Sequence, residues 1–140
     1  MLWPPSTLMQ APVVNDASSL YRLPATLAAN QWGLEGQWMV SEEAARLDAP
    51  GGRIVYQFRG RDLHLVMAPR FGGKPVRFQI LIDGKAPGAD HGVDLDANGN
   101  GIVTEQRLYQ LVRQSDGNAE RRFEIIFLDP GVQAYAFTFG

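Results

Sequence analysis

The chain of 140 residues contains no cysteine. This absence excludes a disulfide framework, a thiolate zinc site and a Cys-x-x-Cys redox pair within the chain. Histidine is scarce as well, because only His64 and His91 are present, and two ligands do not make a metal site. The sequence also lacks a serine nucleophile elbow, a glycine-rich phosphate loop after a strand and a His-Glu metal helix. We therefore expect no catalytic activity.

The first residues, MLWPPSTLMQAPVV, lack the basic region and the long apolar region of a signal peptide. No window of the sequence approaches the length of a membrane span, so we expect no membrane insertion by this chain. The formal net charge of −2 gives no electrostatic footprint for nucleic acid or for an anionic membrane. If the protein works outside the cytoplasm, we expect this chain to be a piece of a longer one.

The composition that remains is typical of one globular domain, with 45% hydrophobic and 20% charged residues. Prolines stand among small and polar residues in 1–24, which predicts an N-terminal linker or extended segment. Residues 25–140 are predicted to form a single domain. Its fifteen glycines and nine prolines, counted over the whole chain, suit many short strands joined by turns.

The last twenty residues show the strand pattern most clearly. Phe123, Ile125 and Phe127 alternate with their neighbours at period two, which indicates a strand with one buried face. Asp-Pro-Gly at 129–131 interrupts the run with turn chemistry, and a second alternating run follows. This pattern predicts a terminal β-hairpin. A tight connection at 59–61 likewise joins two strands whose inward residues are predicted to be Ile54, Tyr56, Phe58, Leu63, Leu65 and Met67.

Two segments carry mixed signals. Ala44 to Leu47 has helical propensity, although the Pro-Gly-Gly that follows stops it at once. Residues 105–114 fit either a helix stripe or a strand buried on both faces, and the turn chemistry at 115–118 favours the strand. Eight or nine short strands separated by turns predict an antiparallel jelly-roll β-sandwich.

A calcium loop is the sharpest local motif. Its spacing, Asp-x-Asp-x-Asn-Gly followed by a glutamate, matches the ligand positions of an EF-hand loop. An entering helix cannot form upstream, so the alternatives are a calcium loop within a β-domain and a solvated turn of Asp, Asn and Gly residues. The candidate calcium ligands are Asp94, Asp96, Asn98, Asn100 and Glu105.

A ligand groove is the second candidate site. His64 faces away from the predicted core and is predicted to line a shallow polar groove with Gln57, Arg77 and Gln79. The alternative is an ordinary polar outer face without a ligand. Aromatic rings commonly stack on sugars, and the candidates by residue type are Trp32 and Trp38, followed by Tyr109 and Tyr135. Trp32 and Trp38 share strand parity with Leu34, however, which favours packing in the core.

Several sequence blocks occur together and in order: NQWGLEGQW, YQFRGRDLHLVM, VRFQILIDG, HGVDLDANGNG, RLYQLVRQ and FLDPGVQAYAFTFG. Together they resemble the C-terminal domain of DipZ-type thioredoxin-like proteins, which are bacterial cytochrome c biogenesis and thiol-redox relatives. The resemblance implies a jelly roll similar to carbohydrate-binding modules and galactose-binding-like domains. It also implies an extracytoplasmic setting and a thioredoxin-like domain as partner in the parent protein.

The predicted function follows from this resemblance. It is a non-catalytic accessory binding module that binds carbohydrate or positions a redox domain. One alternative is a structural or protein-interaction domain with no small-molecule ligand. The other alternative is a domain with a structural calcium loop at 94–105, and calcium is the only cofactor that the sequence suggests.

Overall fold

The computed structural model describes residues 17–23, 26–70, 72–117 and 119–139, the last residue by its backbone only. Within these ranges the chain forms ten β-strands, one 3₁₀ turn and no α-helix. The elements are β1 (Ser18–Tyr21), β2 (Trp32–Val40), β3 (Ala45–Leu47), β4 (Arg53–Arg59), β5 (Asp62–Ala68), β6 (Val76–Ile82), the 3₁₀ turn (Gly88–Asp90), β7 (Asn100–Val103), β8 (Arg107–Arg113), β9 (Glu120–Phe127) and β10 (Gln133–Phe139).

The strands form two antiparallel sheets that share one strand. Sheet A has the order β7-β6-β9-β4-β2, and sheet B continues from β2 through β3, β10 and β5 to β8. The first half of β2 pairs with β4 in sheet A, while its second half lies between β1 and β3 in sheet B. The architecture is an antiparallel jelly-roll β-sandwich, which confirms the predicted fold class.

Two glycines meet where β2 passes from one sheet to the other. Gly36 adopts a φ of +109°, a conformation that glycine enters without steric cost. A Cβ at Gly36 would lie 3.0 Å from the Cα of Gly52, and a Cβ at Gly52 would collide with the side chain of Leu47. The absence of both side chains therefore lets the chain bend between the sheets.

Aromatic rings join the inward faces of the two sheets. Phe137 of sheet B meets Tyr56 and Phe123 of sheet A edge to face, with ring centroids 4.9 and 6.2 Å apart. Trp38 of sheet B meets Phe127 of sheet A in the same way, at 6.0 Å. Such pairs contribute about 0.5–1.5 kcal/mol each beyond the burial of their area. The predicted inward positions in β4, β5 and β9 are all buried.

The predicted terminal hairpin is wrong. β9 lies in sheet A between β4 and β6, whereas β10 lies in sheet B between β3 and β5. The turn at 129–131 therefore carries the chain across the core instead of folding it back within one sheet. The connection at 59–61 does the same between β4 and β5. Alternation identifies a buried face of a strand, but both a hairpin and a crossover satisfy it.

The mixed segments both form strands. Ala45–Leu47 is β3 and not a helix, because Ala45 and Leu47 are fully buried and β2 and β10 pair with it on either side. Residues 107–113 form β8, as the turn that follows them favours. Of the range 1–24, the residues described are 17–23, and four of them form β1 against β2. The rest of that predicted linker lies outside the described residues.

A bulge in β10 changes which side chains face the core. The register against β5 shifts between Ala134 and Ala136, so that Tyr135 has no partner position. Ala134 and Phe137 both belong to the core as a result, although strict alternation would separate them.

Replacing Phe137 with Ala is expected to lower the free energy of unfolding by about 3–5 kcal/mol, because its 4% exposed ring connects the two sheets. Urea denaturation followed by circular dichroism measures the change. Thr138→Ala, on the neighbouring outward side chain, serves as the control and should cost less than about 1 kcal/mol. A near-neutral Phe137→Ala variant would contradict the assignment of Phe137 to the core.

Candidate functional site

The structure separates the residues of the predicted groove. Gln57 in β4 and Arg77 and Gln79 in β6 lie on the outer face of sheet A. His64 lies on the outer face of sheet B, where its register partner in β10 is Thr138, and its Nδ1 is 3.3 Å from the Thr138 hydroxyl. The prediction of one groove lined by all four residues is therefore wrong, because the sandwich core separates His64 from the other three.

The outer face of sheet A holds a network of paired charges. Arg53 donates to Glu35 at 2.7 Å and to Glu124 at 3.0 Å, and Arg122 donates to Glu124 at 3.3 Å. Burial alone would lower the pKa of Arg53, but its hydrogen bond to Glu124 and the charge of Glu35 raise it above the ordinary value. Gln57 is engaged as well, through Glu120 at 2.9 Å.

Arg77 forms a second ion pair on the same face, with Asp129. Its guanidinium donates to both carboxylate oxygens of Asp129 at 2.9 and 3.0 Å, and its N–H donates to the same carboxylate at 2.9 Å. The Arg77 side chain, helped by its backbone N–H, holds the pKa of Asp129 far below its ordinary value. The charged side chains of this face are thus satisfied by one another.

The aromatic candidates lie in the core. The side chains of Trp32, Trp38 and Tyr109 are fully buried, so they present no surface to a ligand. The indole of Trp38 donates to the backbone oxygen of Glu35 at 2.9 Å. The Tyr109 hydroxyl donates to the Glu105 carbonyl at 2.7 Å and accepts the N–H groups of Thr104 and Glu105. The indole N–H and the tyrosine hydroxyl thus hold the neighbouring backbone in place through hydrogen bonds.

Asp94, the first residue of the calcium motif, is engaged by β8. Its carboxylate accepts a hydrogen bond from Arg107 at 2.9 Å and one from the N–H of Gln110 at 2.7 Å. Burial alone would raise the pKa of Asp94, but Arg107 and the Gln110 N–H outweigh it and lower the pKa below the ordinary value. At the end of the motif, the Glu105 Oε1 atom lies 3.5 Å from the Arg107 Nε atom.

The middle of the motif forms a compact turn. Asp96 accepts the N–H groups of Asn98 and Asn100, each at 3.0 Å. Gly99 has a φ of +91°, and a Cβ there would collide with the carbonyl oxygen of Ile80. The residue types of the motif therefore have structural roles in this turn. Across the described ranges, no group of three or more His, Asp and Glu side chains is arranged to hold a metal ion.

A pocket lies where the chain crosses from β9 to β10, and we call it the crossover pocket. Its cavity volume is about 430 Å³, within the range of sites for small molecules. It is formed by β3, the loop before β6 and the turn at 129–131, which we call the crossover turn. Its lining residues are Arg46, Leu47, Asp48, Arg70, Lys74, Pro130, Gly131 and Gln133.

Backbone hydrogen bonds fix one wall of the crossover pocket. The N–H of Gly131 donates to the Leu47 carbonyl at 2.7 Å, and the N–H of Leu47 donates to the Val132 carbonyl at 3.0 Å. Gly131 is also in close contact with Arg70, because a Cβ at Gly131 would collide with the Cβ of that arginine. The crossover turn thus positions Arg70 beside β3.

The crossover pocket carries an excess of positive charge. Arg46, Arg70 and Lys74 face one carboxylate, Asp48, and Arg46 donates to that carboxylate at 2.9 Å. Within the described part of the chain, Arg70 and Lys74 form no ion pair. Although the net charge of the protein is −2, these two cations make the pocket locally positive, and a positive pocket attracts anions.

A half-buried aromatic residue contacts one of the lining residues of the crossover pocket. Tyr135, in the bulge of β10, is half-buried. Its hydroxyl donates to the Gln133 side-chain oxygen at 2.8 Å, which leaves the Gln133 amide nitrogen as a donor. The Tyr135 ring therefore lies next to Gln133, which lines the pocket together with the cationic groups.

Sequence reasoning missed the crossover pocket because its residues come from segments far apart in the chain. Arg46 sits in β3, Arg70 and Lys74 flank a Gly-Gly pair before β6, and Gln133 begins β10. The available signal in the sequence is a glycine-rich loop bounded by two cations. Only the pairing of β3 with β10 brings these segments together.

The family model of the thioredoxin-like C-terminal domain matches residues 6–140. The chain belongs to this family. The match confirms the resemblance inferred from the sequence blocks. No curated protein sequence matches the chain. Among the residues that the structure describes, no helix has the length and hydrophobicity that crossing a bilayer requires.

This thioredoxin-like C-terminal domain is similar to parts of two solved structures, and the first of them shares its fold. One is an active-site mutant of a family two carbohydrate esterase from Clostridium thermocellum in complex with celluohexase, with 17% identity and a TM-score of 0.55 over 79% of this chain and 31% of that chain. Another is a family two carbohydrate esterase from the same organism in complex with cellohexaose, with 19% identity and a TM-score of 0.47 over 70% and 27% of the two chains. The domain thus spans about a third of the first protein's length.

Replacing Asp94 with Asn is expected to lower stability near neutral pH and to have less effect in acid. The folded-state pKa of Asp94 lies below its ordinary value of 3.8, so the unfolded chain binds the proton more readily. The stabilisation by the carboxylate is therefore present above about pH 4 and is lost as the pH falls through the folded-state pKa. Urea denaturation between pH 2 and 7 measures the difference from the unsubstituted protein.

The matched variant for this test is Arg107→Gln, which removes the partner of Asp94. It should reduce the same pH-dependent component, and the double variant should add little to it. A difference between the protein and Asp94→Asn that stays constant from pH 7 down to pH 2 would contradict the role of the Asp94 carboxylate.

Proposed function

We propose that this thioredoxin-like C-terminal domain is a non-catalytic accessory module that binds carbohydrate in the crossover pocket. The observation that carries the proposal is the pocket itself, a concavity of about 430 Å³ with polar side chains from β3, β10 and the loop before β6. Small-molecule sites commonly combine such a cavity with a few polar groups that converge on it. Its size suits one or two sugar rings.

The polar groups that line the pocket, and the aromatic ring beside them, support a sugar ligand. Sugars present hydroxyl groups for hydrogen bonding and flat apolar faces for stacking. The amide of Gln133 and the cations Arg70 and Lys74 supply donors, and the half-buried ring of Tyr135 adjoins Gln133. One fold neighbour of this domain is a carbohydrate esterase, and that likeness concerns the fold alone.

The setting of the module is part of the proposal. Membership of the thioredoxin-like C-terminal domain family supports an extracytoplasmic location and a thioredoxin-like domain as the partner in the parent protein. In that arrangement the module would hold the redox domain close to a glycan-bearing substrate or surface. The chemistry would belong to the partner, since this chain has no cysteine.

Binding to an array of neutral and acidic glycans tests the proposed function. We expect at least one saccharide to bind, and Gln133→Ala to weaken that binding about tenfold, because a lost hydrogen bond in a pocket leaves its partner unsatisfied. The matched control is Gln57→Ala on the outer face of sheet A, which should leave binding within about twofold. The proposal fails if no saccharide binds or if the two variants behave alike.

A second candidate function is docking of the partner domain on the outer face of sheet A. Ile102 and Leu128 are 45% and 44% exposed. They flank Arg77, since Ile102 is its register partner and the Leu128 N–H donates to its carbonyl. Exposed apolar side chains that adjoin one another mark candidate interfaces.

Amide hydrogen exchange, measured on this domain alone and on the longer parent protein, tests this docking surface. If the face docks the partner, we expect slower exchange in 100–103 and around Leu128 in the parent protein, and Ile102→Ser should remove that protection. Val93→Ser is the control, because Val93 is also exposed, at 72%, but precedes the Asp94 turn beside β8. Equal exchange in the two proteins would exclude this interface.

A further inference from the structure

We infer that the crossover pocket selects an anionic sugar, whose acidic group lies between Arg70 and Lys74. This inference rests on the proposed function, because it names the class of ligand for the same pocket. Four observations support it: the unpaired cations, the hydrogen-bonding capacity that Arg70 leaves unused, the commitment of the neighbouring Asp129 to Arg77, and the amide of Gln133 with the adjoining ring of Tyr135.

The first observation is the difference between this pocket and the outer face of sheet A. On the outer face of sheet A, Arg53, Arg77 and Arg122 each donate to a carboxylate. In the crossover pocket the only lining carboxylate, Asp48, is taken by Arg46. Arg70 and Lys74 keep their charges without an ion-pair partner in the described residues. An anionic ligand would supply that partner.

The second observation concerns the guanidinium of Arg70. Its Nη2 donates to the Pro75 carbonyl at 3.3 Å, and its Nε is buried without a hydrogen-bond partner among the residues described. A guanidinium has five N–H donors in a planar fork, which suits the two oxygens of a carboxylate or phosphate. Contact of Gly131 with the Arg70 Cβ positions the base of this side chain beside the crossover turn.

The third observation is the position of Asp129. Asp129 is the first residue of the crossover turn, close enough for the charge of Arg70 to act on its pKa. Arg77 nevertheless holds both of its oxygens and donates a backbone N–H as well. This neighbouring carboxylate is therefore committed to Arg77 and forms no ion pair with Arg70.

The fourth observation distinguishes a sugar acid from a simple ion. The cavity of about 430 Å³ is far larger than acetate or inorganic phosphate, so either ion alone would leave most of it filled by water. The Gln133 amide and the Tyr135 ring offer a hydrogen bond and a stacking face that suit a sugar ring. Carboxylate and phosphate share the chemistry that Arg70 and Lys74 recognise, and the experiment separates them.

Isothermal titration calorimetry on the whole domain tests the inference with glucuronate, glucose 6-phosphate, glucose, acetate and inorganic phosphate. We expect glucuronate or glucose 6-phosphate to bind at least tenfold more tightly than glucose, acetate or phosphate, and the affinity to fall as salt is added. Lys74→Gln should weaken the acidic sugar about tenfold. Arg70→Gln, a second variant, should weaken it at least as much.

The matched control is Lys85→Gln. The sequence contains two lysines, both exposed, and Lys85 lies in the turn after β6 outside the pocket. Both variants remove one positive charge, so a general electrostatic effect would change binding equally. Equal effects of Lys74→Gln and Lys85→Gln would therefore overturn the placement of the acidic group.

The remaining outcomes separate this inference from the proposed function. Binding of glucose as tight as that of glucuronate and glucose 6-phosphate would overturn the selection of anions while leaving carbohydrate binding intact. Binding of acetate or phosphate as tight as that of the acidic sugars would overturn the recognition of a sugar. If no saccharide binds in either this titration or the glycan array, both the inference and the proposed function fall.

Discussion

The continuity of β2 through both sheets is the constraint on which the sandwich depends. Trp32 in its first half and Trp38 in its second half are both fully buried, so one strand supplies core to sheet A and to sheet B. This arrangement requires a bend with no side chain at the closest approach, which Gly36 and Gly52 provide. Once β2 is fixed, β4 has a place on one sheet and β3 on the other, and the remaining strands add outward from them.

The crossover pocket is a consequence of the same constraint. Because β3 pairs with the second half of β2, it offers its other edge to the start of β10. The chain must therefore leave β9 in sheet A and enter sheet B within the few residues of the crossover turn. Gly131 allows this turn to approach Arg70. The cations thus meet at a corner of the sandwich where three connections converge, and not on the face of a sheet.

Much of the fold was predictable from local pattern, and its limits have a physical reason. Phe123, Ile125 and Phe127 reveal a buried strand face because side chains alternate at period two. Alternation does not say which strand lies alongside, so it predicts a hairpin at 129–131 where the structure has a crossover. Tyr135 shows a second limit, because the bulge shifts the phase of β10 without any distinctive residue. The pocket was hidden for a third reason, since it depends on strand order more than on any motif.

The distribution of satisfied charge distinguishes structural polar residues from candidate binding residues. Asp94 and Asp96 form a conspicuous motif, yet their oxygens already accept hydrogen bonds from Arg107 and from backbone N–H groups. Arg70 and Lys74 form no motif, yet their charges lack a partner within the described residues. Because leaving a donor unsatisfied costs free energy, unused capacity in a cavity is a stronger sign of a ligand than residue types that suit one. That criterion moves the candidate site from the loop at 94–105 to the crossover pocket.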